Sequence, residues 1–380
     1  MTENALTGAR VLLPQGLASD LCIVIKNGLI QAITPEPPNS VASIDVLGGG
    51  IILPGFIDVQ VNGGGGALFN DAPNIESLRT ILDAHRRFGT TGMMITLISD
   101  DLDKVAAAID AVGQAIEADL PGLCGLHIEG PFIAPEKRGI HDAKKVQKLS
   151  QEAMRILLSG GDAPRMVTLA PEEVSAENIK QLTDHHILVC AGHTNASFDA
   201  MAHAFSQGVT GVTHLFNAMS PLHARQPGAI AAALESSAWC GIIVDGKHVH
   251  PAMLRMALRA KTDRRFMLVT DAMPAVGTDA DHFMLAGQRI DIKDGTCLAA
   301  DGTLAGANLT MIDAVRNATS MLGITLDEAV AMASANPAEF LGMSGQRGTI
   351  ATGMRADLIH VSDDLEVAAT WIGGDKASAI

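Results

Sequence analysis

The chain contains no tyrosine, and aromatic residues make up only 3% of its 380 residues. It therefore has few flat rings on which bases could stack, and its net charge of −15 repels a phosphate backbone. Nucleic acid is excluded as a partner, and an anionic substrate would need a local basic pocket. Cysteines are few and scattered: Cys22, Cys124, Cys190, Cys240 and Cys297 form no CxxC pair. Reduced, buried thiols are expected, with no disulfide framework and no zinc–thiolate site. No apolar run approaches the ~18 residues of a membrane-spanning helix, and MTENALTGAR at the start has no apolar signal core. These features predict a soluble cytoplasmic protein with no membrane partner. The glycine run 62–66, NGGGG, lacks the Lys-Ser/Thr of a phosphate loop. There is no internal repeat and no low-complexity linker.

Hydrophobic residues reach 47%, ample for a large core, and 38 glycines imply many tight turns. At this length the chain suits one large barrel with a smaller module. Residues 1–50 read as β structure. Apolar runs at 21–25 and 29–33 flank Asn27-Gly28, a strong hairpin signal. From residue 51 the rhythm becomes strand, loop, helix. Strands are expected at 55–61, 93–98, 123–128, 166–169, 187–191, 211–213, 241–244 and 266–270. Helices fall between them, and 308–321 closes the series. Eight such units predict a (β/α)8 barrel over 51–344. Short strands at 348–350, 357–360 and 368–371 return to β, so 1–50 and 345–380 together are expected to form a small β-sandwich.

The informative residues stand just after the expected strands. Glu129 follows the third, His193 the fifth, His214 the sixth and Asp271 the eighth. Loops at the carboxyl ends of barrel strands are where such folds build active sites. Glu129, His193 and His214 have the composition of a catalytic zinc site with one open position, and Asp271 could take a proton from water there. Each residue singly has an ordinary explanation. Glu129 could pair with Lys137 or Arg138, and Asp271 could be a turn residue before Pro274. Arg225 and His248 sit on neighbouring loops and could hold a phosphate, or be solvated charges. What favours chemistry is that all four strand-end residues occupy corresponding places.

Seven segments carry a resemblance to a known family: PGFIDVQVNG (54–63), GLHIEGPFIAPEKRGIH (125–141), GHTNA (192–196), THLFNAM (213–219), DGKHV (245–249), LVTDAMPAVG (268–277) and LAGANLTM (304–311). The chain resembles the N-acetylglucosamine-6-phosphate deacetylases of the amidohydrolase superfamily. That resemblance implies one divalent ion per chain, expected to be Zn2+, on Glu129, His193 and His214. It implies Asp271 as general base and acid, and His141 as the group that polarises the acetyl carbonyl. Ile140, His141, Asn217, Ala218, Arg225 and His248 would bind the phosphorylated amino sugar, with Ala305, Gly306 and Ala307 lining the pocket. A homodimer is implied, in which Arg225 or His248 could cross to the other subunit. Many superfamily members carry His-x-His after the first strand; here the position reads Gln60-Val61-Asn62. Neutral amides are poor zinc ligands, so a second metal is not expected and Gln60 and Asn62 would be a vestige of it. His127 shares a strand face with Glu129 and is assigned to support behind the site. Rival readings are a cyclic-amide hydrolase, a deaminase, an N-acyl-amino-acid deacylase and, most remotely, a non-catalytic barrel scaffold.

Overall fold

A computed structural model describes residues 3–377 of the chain. Eight parallel strands follow one another in strict sequence order around a barrel: Phe56–Val61, Thr90–Ile98, Leu123–Glu129, Arg165–Leu169, Leu188–Ala191, Val209–Val212, Trp239–Ile242 and Phe266–Leu268. Each of the eight overlaps a stretch expected from the sequence, although Thr90, Val209 and Trp239 begin their strands two or three residues early. The strands are buried almost throughout and rich in apolar residues because helices cover their outer faces. Helices Ile75–Arg86, Leu102–Glu117, Gln151–Leu157, Ala176–Asp184, Phe198–Ser206, Gly228–Glu235 and Pro251–Ala260 each follow one strand. Side chains of Asn74, Ser150, Ser175 and Ser197 accept from backbone N–H groups in the first turns, so the caps set where these helices begin. Met311–Asn317 closes the series and continues as a π-helical turn over Ala318–Leu322, where a plain helix to 321 was expected.

The ring has a seam. The ladder ends at the first and eighth strands. They are joined instead by single bonds: Asp271 N–H to Gln60 O at 3.0 Å and Asn62 N–H to Ala272 O at 2.9 Å. Below these, the buried Asp58 carboxylate accepts from the Thr270 hydroxyl at 2.5 Å and its N–H at 3.3 Å.

The chain ends meet beside the barrel. One four-stranded sheet runs Leu29–Thr34, Cys22–Lys26, Asn4–Thr7, Ser43–Val46. A six-stranded sheet mixes both ends, in the order Asp375–Lys376, Val367–Ile372, Leu358–Val361, Ile51–Pro54, Arg10–Leu13, Gly16–Ala18. Leu6, Val11, Ile23, Ile30, Ile52, Leu358 and Trp371 fill the space shared by these strands. Ile51–Pro54, counted with the barrel in the sequence reading, is hydrogen bonded within this terminal sheet. The expected strand at 348–350 is irregular chain, although Ile350 is buried.

One element was not anticipated. Residues His282–Leu285, Gln288–Lys293, Thr296–Ala299 and Leu304–Ala307 form a four-stranded antiparallel sheet between the eighth strand and its helix. Its apolar face, with Phe283, Ile290 and Cys297, packs on Leu68, Ile98 and Met273 at the mouth of the barrel. It walls the functional cavity on one side.

Candidate active site

The carboxyl ends of the strands open into a cavity of about 430 Å³. Glu129 is the last residue of its strand; His193, His214 and Asp271 follow theirs by two or three residues. All four lie at its wall. Three of them have a left-handed backbone, with φ of 47° at His193, 29° at His214 and 50° at Asp271. Such a conformation costs an L-residue about 1–2 kcal/mol, and it turns each side chain off its strand toward the barrel axis.

Glu129, His193 and His214 are the one His/Cys/Asp/Glu group among the described residues whose ligand atoms converge as a metal requires. His193 Nε2 lies 3.2 Å and His214 Nε2 3.0 Å from Glu129 Oε1, and the two nitrogens are 3.1 Å apart. Ligands about 2 Å from a tetrahedral ion are separated by roughly 3.3 Å, so this triangle fits one with little adjustment. The Lys137 carbonyl, 2.9 Å from His193 Nδ1, is an acceptor. It assigns the proton of that ring to Nδ1 and leaves the Nε2 lone pair facing the triangle. Burial alone would raise the Glu129 carboxyl; the His193 and His214 imidazoles beside it outweigh this and hold it well below the usual range. Burial works to lower His214, but the Glu129 carboxylate wins and raises the imidazole.

Asp271 stands apart from the triangle. Its Oδ1 accepts from Asn62 Nδ2 at 2.7 Å and Gln60 Nε2 at 3.3 Å. The same Gln60 amide reaches both oxygens of Glu129, at 3.1 and 3.2 Å. Burial first, then the Glu129 charge, push the Asp271 carboxyl up to about 6. That is the range in which a carboxylate serves as base and acid at neutral pH. Its backbone is held by Ala307, whose N–H donates to Asp271 O at 2.9 Å. Gly306 makes this approach possible, since a Cβ there would lie 2.6 Å from Met273 and 2.8 Å from Asp271 O.

His141 returns from the loop after Glu129 to pack at 4.4 Å, centroid to centroid, against His193, the two rings tilted by 53°. It is buried, and desolvation together with His193 drives its imidazole down to about 3. Ile140, Asn217, Ala218 and Gly306 also line the cavity, whereas Ala305 and Ala307 are buried and not part of its lining. His248 sits at the wall with Nδ1 2.6 Å from Asp245 Oδ2, and Asp245 also accepts from the N–H groups of Lys247 and His248. Against the pull of burial, the His248 contact lowers the Asp245 carboxyl.

His127 does not reach the cavity. It is wholly buried one layer down, between the hydroxyls of Thr96 (3.1 Å from Nδ1) and Thr168 (2.7 Å from Nε2), and Thr168 continues to Thr213 at 2.7 Å. Arg225 is not brought in either. It is exposed and lines a separate surface cavity with Asn195, Phe198, Asp199 and His223. Reasoning from sequence missed Asp245, Gly302, Thr303 and Leu304. Asp245 stands three residues before His248, a spacing at which a carboxylate closes a turn on the imidazole.

The chain matches the Amidohydrolase family over residues 51–377. It is 40% identical to the N-acetylgalactosamine-6-phosphate deacetylase of Shewanella sp. (strain ANA-3), covering 97% of this chain and 94% of the relative. It is 33% identical to the N-acetylglucosamine-6-phosphate deacetylase of Bacillus subtilis (strain 168), covering 93% and 91%. The crystal structure of N-acetylglucosamine-6-phosphate deacetylase from Pasteurella multocida superposes with a TM-score of 0.95 at 32% identity, covering 99% of this chain and 100% of that one. A mutant of the Mycobacterium smegmatis enzyme in complex with N-acetyl-D-glucosamine-6-phosphate gives 0.91 at 31%, covering 99% of each.

Proposed function

The chain belongs to the amidohydrolase family and, within it, to the N-acetylhexosamine-6-phosphate deacetylases, and from this we propose that it hydrolyses N-acetylglucosamine 6-phosphate to glucosamine 6-phosphate and acetate. The observation that carries the reading is the buried Glu129–His193–His214 triangle with Asp271 linked to it through Gln60. A divalent ion held by the three ligands supplies Lewis acidity, bringing the pKa of water toward roughly 7. We take that ion to be zinc, from the two imidazoles and one carboxylate. We take it to be single, because the Gln60 amide already donates into the space between Glu129 and Asp271 where a second cation would have to sit.

Asp271 accepts the proton of the attacking water. His141 donates a hydrogen bond to the acetyl oxygen as negative charge gathers there, and in many enzymes such preorganised donors contribute most of the rate enhancement. The new C–O bond forms at the carbonyl carbon, the C–N bond breaks, and Asp271 passes its proton to the departing amine. We assign His248, whose ring is held by Asp245, to the phosphate of the substrate. Arg225 lies too far round the surface to line the cavity of its own chain, which supports a homodimer in which it serves the partner's site. Among the described residues no helix is long and apolar enough to cross a membrane. We take the cytoplasm as the place where it works on a phosphorylated amino sugar.

A second reading has its own support: the 40% relative is a deacetylase of the galactosamine epimer. One experiment decides among these readings. Acetate release is measured from both N-acetylhexosamine 6-phosphates and both unphosphorylated sugars, with and without a chelator. We expect N-acetylglucosamine 6-phosphate to be preferred, loss of most kcat/KM without the phosphate, and loss of all activity on chelation. A preference for the galacto epimer assigns the second reading, and no acetate from any sugar refutes both.

A further inference from the structure

His141 can polarise a carbonyl only if the nitrogen facing the cavity carries the proton. In a neutral imidazole that depends on the other nitrogen. His141 Nδ1 faces away from the cavity toward the end of the second strand. There it meets the Ser99 hydroxyl at 2.7 Å and the Ser99 N–H at 3.4 Å. The N–H can only donate. The hydroxyl has no other partner among the described residues, so its proton also goes to Nδ1. A nitrogen accepting from both groups has no hydrogen of its own.

We infer that Ser99 is a positioning residue for the deacetylation proposed above, locking His141 as the Nε2–H tautomer that donates to the acetyl oxygen.

The surroundings are shaped for this contact. Ser99 is 5% and His141 3% exposed, so water does not compete for Nδ1. Gly130 lies against the hydroxyl. A Cβ at that position would stand 2.2 Å from Ser99 Oγ, and its φ is 80°. The glycine that follows the metal-ligand carboxylate Glu129 thus leaves the room the serine hydroxyl occupies. Lysines and acids lie around this pair but do not touch it: Asp100, next in the chain, is engaged by Lys104, Lys145 and Asn70. The serine is left as the group that sets the ring.

The inference rests on the hydrolase reading only for its kinetic consequence; the tautomer can be tested without any substrate. Zinc-loaded protein carrying 15N-histidine is studied by long-range 1H–15N NMR, with His141 identified by the signals lost in His141→Gln. In the unmodified protein we expect an unprotonated Nδ1 and a protonated Nε2. Ser99→Ala should shift both signals toward a mixture of tautomers. A protonated Nδ1 in the unmodified protein overturns the inference, as does a pattern unchanged by Ser99→Ala. The kinetic arm uses the same variant. Ser99→Ala should lower kcat about five- to tenfold with KM changed less than about twofold, and should cost nothing further in a His141→Gln background. Losses that multiply in the double variant place Ser99's effect elsewhere and refute the coupling. If the unmodified enzyme releases no acetate from any hexosamine phosphate, the functional reading fails while the NMR result still decides the tautomer.

Discussion

Replacing Thr270 by valine perturbs the barrel at its weakest joint. No ladder connects the first and eighth strands, and the Thr270 hydroxyl makes the shortest bond across the gap, 2.5 Å to Asp58 Oδ2. Asp58 is wholly buried. Burial lifts its carboxyl from 3.8 to about 7, against the pull of the Thr270 hydroxyl and the N–H groups of Gln60 and Thr270. The folded value thus lies above the unfolded one. The stability linked to this proton is full below pH 3.8 and is lost as pH rises through 7. At 1.36 kcal/mol per pH unit the change is of order 4 kcal/mol. Thr270→Val keeps the shape and removes a donor that favours the ionised form. A hydrogen bond to a charged group contributes about 1.5–3 kcal/mol and one to a neutral group about 1. The variant should therefore lose about 1.5–3 kcal/mol at pH 8 and about 1 at pH 5. Urea unfolding at the two pH values, with metal content matched and slopes compared, reads this difference directly. Equal losses at both pH values would refute the argument, and so would no loss at all. Asp58→Asn, which cannot ionise, should flatten the pH dependence of stability between about 4 and 7.

Asp271→Asn should lower kcat by at least about a thousandfold while metal content measured by atomic absorption is unchanged. In the unmodified enzyme kcat should hold above pH 6 and fall as Asp271 takes up a proton through about 6, the bound cation moving this limb lower rather than higher; a rate that rises on acidification contradicts the base assignment. Metal analysis of protein purified without chelator should give one equivalent per chain, and Glu129→Gln should weaken metal binding by more than about a hundredfold, beyond what changes behind the ligands alone produce. Two equivalents would contradict the part given to Gln60 and Asn62. Arg225→Ala should raise KM for the phosphorylated sugar about tenfold or more. If Arg225 serves the partner's site, mixed dimers of Arg225→Ala and Asp271→Asn chains should regain activity in one of their two sites; separately refolded mixtures with no recovery would confine the residue to its own chain.

Much of this was open to inspection in the linear chain. Eight apolar runs separated by helical spacing can be stacked in few ways, and right-handed crossovers leave the barrel. Glu129, His193, His214 and Asp271 stood out because barrel strands present their carboxyl ends together, so equivalent places along the chain become neighbours in space. The sheet at 282–307 went unread although signals were present. Asp294-Gly295 and Asp301-Gly302 are turn dipeptides separated by a short run, and Asp294 and Gly295 do take left-handed conformations, with φ of 50° and 72°. The strands around them carry polar residues on the face turned to solvent, so no continuous apolar run announced them. Ile51–Pro54 was misassigned for a related reason: a buried strand looks the same whether it lies in a barrel or in a sandwich.

The linear chain laid out the kinds of groups and their places in the repeat: three candidate ligands of the right chemistry, a further acid, and two amides at the end of the first strand. These follow from covalent order and hydrophobic period, which act over a few residues. Packing supplied what remained. It placed the Gln60 amide between Glu129 and Asp271, set Ser99 against His141 over 42 positions of chain, closed the seam through Asp58 and Thr270, and left Arg225 outside its own cavity. Each of those depends on distances between residues far apart in sequence. Such distances are set by the packing of the whole barrel, and no local pattern encodes them.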